Sequence, residues 1–172
     1  MFIFTPIARF SFAGLIAPLH IALLALATTT LSAHAERTVL NVSGNLEAKY
    51  AEGVEMDLVA LQRLPQKTIS LKRSWELTPT KFTGPLLRDV LASFKAKGTI
   101  VKARSFVDAE TQMAVEFSKR VDVIVAYKGT DAAAWLQSNA PLFLVYPQGS
   151  ADVDGSMVPA NNTFQLKSLT VE

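Results

Sequence analysis

The sequence predicts an α+β domain that is mainly β, and three observations predict it. Lys67–Arg73 alternates, with Ile69 and Leu71 on one side and Thr68, Ser70 and Lys72 on the other, which is the period of a half-buried strand. Val121–Tyr127 and Pro141–Pro147 are nearly continuous apolar runs of strand length. Leu86, Leu87, Val90, Leu91 and Phe94 fall on one stripe at helical spacing, and Arg88 and Asp89 fall outside it. About six strands with two or three short helices fit this pattern.

Residues 1–35 read as a leader. Arg9 supplies the positive start, Ala13 to Ala27 is an apolar run broken by Pro18 and His20, and Ala33-His34-Ala35 is an A-x-A cleavage site. The run is short for an anchor, which needs about 20 apolar residues. The expectation is cleavage before Glu36, export to a periplasmic or secreted location, one folded domain over residues 36–172, and no membrane span after cleavage.

Composition then excludes chemistry. Both histidines, His20 and His34, lie in the leader, and the chain has no cysteine. A His-dependent triad, a Cys nucleophile, a Cys/His zinc site, an iron–sulfur cluster and His or Cys haem ligation cannot be built from residues 36–172. No disulfide can form, so stability must come from the core. Arg9 is the single charged residue of the leader, which leaves sixteen Lys and Arg against fifteen Asp and Glu. That balance, with no basic run interleaved with aromatics, gives nucleic acid no footprint.

Along the chain, Thr38–Val42 is expected as a strand, ended by Ser43-Gly44-Asn45. Asp57 is placed to cap a short helix carrying Leu58, Val59, Leu61 and Leu64, which Pro65 ends. Ser74–Lys81 reads as a loop holding Trp75. Gly84-Pro85 reads as an abrupt helix start, because proline suits the first helical position, and the helix runs to about Phe94 and closes near Gly98. Thr99–Val107 and Met113–Phe117 are expected as strands, and Val121–Tyr127 as a central one followed by a turn at Lys128-Gly129-Thr130. Asp131–Gln137 reads as a helical turn or two, Gln148–Asn162 as a long loop, and Phe164–Val171 as a closing strand.

Four stretches in order resemble the sulfite-oxidase-type molybdopterin-binding family in its small exported form. They are Met56–Pro65 with the Thr68–Ser70 strand and Trp75, Phe82-Thr-Gly-Pro-Leu-Leu-Arg-Asp-Val-Leu91, Asn139–Pro147, and Phe164–Val171. They cover most of residues 54–172. The resemblance implies a molybdopterin-binding-like fold, with the cofactor surrounded by the Arg73–Trp75 loop, the helix after Pro85 and the loop at Asp108. Catalytic members hold molybdenum through a cysteine thiolate just before the helix. Here that neighbourhood is Lys72-Arg73-Ser74, and neither Ser nor Lys is an equivalent soft ligand.

No cofactor is therefore expected, and molybdopterin enters by resemblance alone. The expected function is non-catalytic binding of a small anionic ligand or an extracytoplasmic protein partner. The alternatives are a molybdopterin-dependent oxidoreductase with an atypical metal ligand, and an accessory subunit of a membrane sensor or redox system. The ligand-binding candidates are Arg73, Ser74, Trp75, Arg88 and Asp108. Arg73 offers a planar cationic fork and Trp75 a stacking wall. Arg88 and Asp89 are adjacent on the helix and so cannot face each other. Asp108 and Glu110 read as solvated carboxylates rather than an acid–base pair. Asp152, Asp154, Asn161 and Asn162 lack the spacing of a calcium loop.

Overall fold

Two separate interiors decide how these segments sort. The structure, a computed structural model, describes residues 38–72, 77–130, 142–150, 158–160 and 162–172. All of them belong to one unit, 34–172. The largest sheet has the order β2 (Val54–Met56), β1 (Leu40–Gly44), β11 (Ser168–Val171), β5 (Ile100–Arg104), β6 (Glu110–Ala114). Its β1 and β11 are parallel, and its other pairs are antiparallel. A second sheet runs β10 (Thr163–Gln165), β9 (Phe143–Val145), β7 (Ile124–Ala126), and a third runs β3 (Gln66–Leu71), β4 (Thr80–Pro85), β8 (Lys128–Gly129). Three short helices, α1 (Leu58–Arg63), α2 (Leu87–Ser93) and α3 (Val115–Arg120), and a 3-10 turn at Ala48–Tyr50 complete an α+β, mainly β domain.

The first interior holds Leu40, Val42, Val101, Ala103, Met113, Leu169 and Val171 from the large sheet, with Leu87, Val90 and Leu91 of α2. The second holds Ile69, Leu71 and Phe82 of the third sheet with Ile124, Ala126, Phe143 and Val145. Strands β7 and β9 feed both: Val125 and Leu144 enter the first core, and their neighbours enter the second. A layer buried on both faces must be apolar at successive positions, which explains the two continuous runs. Strand β7 pairs with β9 on one side and is bridged to Leu86 through Ile124 on the other.

Asp57 caps α1 as the sequence indicates, its Oδ1 accepting from the Ala60 N–H at 2.7 Å. Strand β3 buries Ile69 and Leu71 and exposes Ser70 between them and Gln66, Lys67 and Thr68 before them. Strand β1 is displaced from Thr38–Val42 to Leu40–Gly44, and β5 stops at Arg104 because Ser105 opens a turn.

Several expectations are corrected. Pro85 does not start a helix; it ends β4, where a missing N–H matters least, and α2 begins at Leu87. Gly84 serves a close approach instead: a Cβ there would lie 2.0 Å from the Val125 carbonyl oxygen. Met113–Phe117 is not one strand, since β6 ends at Ala114 and Val115 starts α3, which buries Phe117. Phe164–Val171 divides at Leu166-Lys167, where the chain passes from the second sheet to the first. There the Leu166 N–H donates to Leu142 O and the Lys167 N–H to Arg104 O. Lys128-Gly129 pairs with β4 rather than only turning the chain, and the strands, several of two or three residues, number eleven among the described residues. The expected helix at Asp131–Gln137 and most of the Gln148–Asn162 loop lie outside the described residues.

Candidate functional site

The outer face of the large sheet is polar because alternation along each strand sends every second side chain away from the core. On β5, Val101 and Ala103 are buried, and Lys102 and Arg104 point the other way. On β11, Leu169 and Val171 are buried, and Ser168 and Thr170 face out. Register then aligns these residues into rows. Ser168, Arg104 and Glu110 stand side by side across β11, β5 and β6, and Thr170, Lys102 and Gln112 form the next row, about 7 Å along the strands. Ser43 of β1 extends the second row, its hydroxyl 3.3 Å from that of Thr170.

A cleft of about 340 Å³ opens on this face, lined by Lys102, Arg104, Glu110, Ser168, Thr170 and Glu172. Its ionic contacts are unequal. Lys102 Nζ donates to Glu172 Oε1 at 2.8 Å, and this bond, with the attraction of Glu172 and Glu110, raises the Lys102 pKa against an opposing desolvation. Arg104 Nη2 reaches Glu110 Oε2 only at 3.4 Å, and both side chains stay about half exposed, 57% and 46%. Among the described residues the walls are hydroxyls and charges, with no aromatic surface.

Of the residues proposed from sequence, Arg73, Ser74 and Trp75 lie outside the described residues. Arg88, on α2, donates to Asp122 Oδ1 at 2.7 Å and to Lys119 O at 3.4 Å. Lys67 of β3 donates to the other carboxylate oxygen of Asp122. These contacts tie β3, α2 and the segment after α3 together, and they hold the Asp122 carboxyl below its usual range, Lys67 contributing most and Arg88 next. The first N–H of α2, on Leu87, donates to Val123 O, and that of Asp89 donates to Leu86 O, so these two donors are already engaged. Asp108 sits in the β5–β6 turn with φ +57°, its N–H donating to Ser105 O at 3.4 Å. Its partners are thus not those of Arg88. Glu110 is a strand residue paired with Arg104, and the turn hydroxyl of Ser105 accepts from the Val107 and Ala109 N–H groups. Tyr146 is buried and Asn162 Nδ2 donates to Pro147 O; Asp152, Asp154 and Asn161 lie outside the described residues.

Sequence reasoning predicted strands containing β5 and β11 but misplaced β6, and it did not single out Lys102, Arg104, Ser168, Thr170 or Glu172. The available signal was alternation itself: Lys102-Ala-Arg104 and Ser168-Leu-Thr170 place polar residues at period two beside buried ones. Which strands lie adjacent is not readable from that pattern.

Compared with known proteins, the chain matches no family model and no curated sequence. The donor chemistry does not fit the molybdenum group that the resemblance implies. The chain has no thiolate, and at the expected ligand position the Lys72 backbone N–H donates to Gln148 Oε1 at 3.2 Å. Among the described residues no three His, Cys, Asp or Glu side chains gather as a metal site, and no helix is long and apolar enough to cross a membrane.

Proposed function

We propose that this chain is an exported, non-catalytic domain that binds a small anionic ligand on the outer face of its large sheet. The observation that carries the reading is the loosely held Arg104. A guanidinium has five N–H donors, and among the described residues the 3.4 Å contact to Glu110 commits one of them, so a planar fork for a carboxylate or phosphate remains open in a cleft. The leader supports export, and the four-stretch resemblance supports a molybdopterin-binding-like domain that has lost its metal.

The test is a melting experiment with acetate, malonate and inorganic phosphate on wild type and Arg104→Gln. A ligand that binds the native state raises the melting temperature saturably. The reading predicts such a rise for at least one anion, an apparent affinity at least fivefold weaker in Arg104→Gln, and equal melting of the two proteins without ligand. No saturable rise, or an equal rise in both proteins, overturns it. A second reading, docking of a protein partner, is favoured by Phe106 and Val107 at the tip of the β5–β6 turn, which are 43% and 76% exposed. A Phe106→Ser/Val107→Ser variant that binds anions normally but loses capture of a partner would favour that reading.

A further inference from the structure

Among the described residues, the charged side chains that line the cleft are two cations and two carboxylates. We propose that its ligand is a zwitterion of the free amino-acid class, with the ligand carboxylate on Arg104 and the ligand ammonium on Glu110; this rests on the binding reading above and narrows it. Arg104 and Glu110 are directly opposed residues of β5 and β6, and their contact is long and open to solvent. Exposed pairs of this kind are weakly held, so they open readily. A simple anion that takes Arg104 leaves Glu110 unpaired beside a like charge. A simple cation that takes Glu110 does the same to Arg104. An amino acid, whose carboxylate and ammonium sit on one carbon, enters between the two and gives each a counter-charge.

The second pair is the closer one. Lys102 and Glu172 meet at 2.8 Å, the shorter of the two contacts, and close the other end of the cleft. Ser168 lies beside Arg104 in register and Thr170 beside Lys102. A hydroxyl donates to a carboxylate or accepts from an ammonium, so these two groups suit either end of the ligand. Among the described residues no aromatic side chain lines the cleft, which leaves a sugar ring without a stacking surface, and no aliphatic one does, which favours a ligand side chain that is small or polar.

Three probes on one skeleton separate the charges: L-serine, N-acetyl-L-serine, which keeps only the anion, and L-serinamide, which keeps only the cation. Titration of the isotope-labelled full chain is followed through backbone amide shifts. The expected result is saturable movement at Arg104, Glu110 and Ser168 with L-serine, and at least tenfold weaker binding of the other two. In Glu110→Gln the preference for L-serine over N-acetyl-L-serine should disappear, and in Arg104→Gln both should lose binding, with amide spectra that remain those of the folded protein. If N-acetyl-L-serine matches or exceeds L-serine on wild type, the zwitterion assignment falls and the anion reading stands. If L-serinamide matches L-serine, the assignment also falls, because the ligand carboxylate then contributes nothing. If no probe and no simple anion moves the cleft resonances, both readings fall.

Discussion

Arg88 Nη2 and Asp122 Oδ1 meet at 2.7 Å, and Lys67 grips the same carboxylate from β3. Two cations on one carboxylate hold the folded-state pKa of Asp122 below its ordinary value of 3.8. The stabilisation is therefore full above the unfolded pKa and is lost as pH falls through the lower, folded one. The side chain is 35% exposed, so solvent screening reduces the effect. Asp122→Asn should cost about 1 kcal/mol at pH 7 and less at pH 3. Urea denaturation of both proteins at the two pH values checks this, and an equal loss at both would remove the ionic account.

Gly84 is a packing glycine in a strand. A methyl group there would meet the Val125 carbonyl oxygen at 2.0 Å and Ala126 Cα at 2.7 Å, both of which are backbone and cannot rotate away. Gly84→Ala should cost at least about 3 kcal/mol or prevent folding, at the upper end of the overpacking range. If Gly84 were only a helix-start residue, the same change would be nearly neutral. A far-UV spectrum with a melting curve separates the two outcomes.

Leu87 opens α2 and is fully buried in the first core, next in the cluster to Val90 and Leu91. Leu87→Ala should cost about 2–5 kcal/mol from lost transfer energy and the cavity left behind. Lys97, exposed beyond the helix, provides the control, and Lys97→Ala should cost under about 0.5 kcal/mol. Denaturant midpoints of the two variants measure the difference.

These positions also show how far the sequence reaches. Alternation in Lys67–Leu71 was legible because it reports one buried face directly, whereas the apolar run Val121–Tyr127, read as a central strand, yields only Ile124–Ala126, which stands last in its three-strand order. The Asp57 cap was legible because it is a local bond three residues long. Pro85 misled because proline suits both a strand end and a helix start, and the deciding contact, Gly84 against Val125, spans distant segments. Met113, Val115 and Phe117 alternate like a strand, yet Phe117 is buried from a helix, which period alone does not separate over so short a run. The cleft was hidden for a related reason: Ser168, Arg104 and Glu110 become neighbours only through the pairing of β11, β5 and β6.

The proposed export has a chemical signature. The secreted protein should begin at Glu36 after Ala33-His34-Ala35. Intact-mass spectrometry of protein from the culture medium or periplasm should give the mass of residues 36–172. An intact Met1–Ala35 segment retained in membranes would contradict the export proposal.

The central claim is that the large sheet's outer face binds an anion through Arg104. Mapping of backbone amide shifts during a malonate titration tests it most directly. The account predicts saturable shifts concentrated at residues 102–104, 110–112 and 168–170, with β3 and α2 unmoved, and their loss in Arg104→Gln. Shifts concentrated instead at residues 72–88 and 106–108 would contradict it and return the site to the Arg73–Trp75 loop.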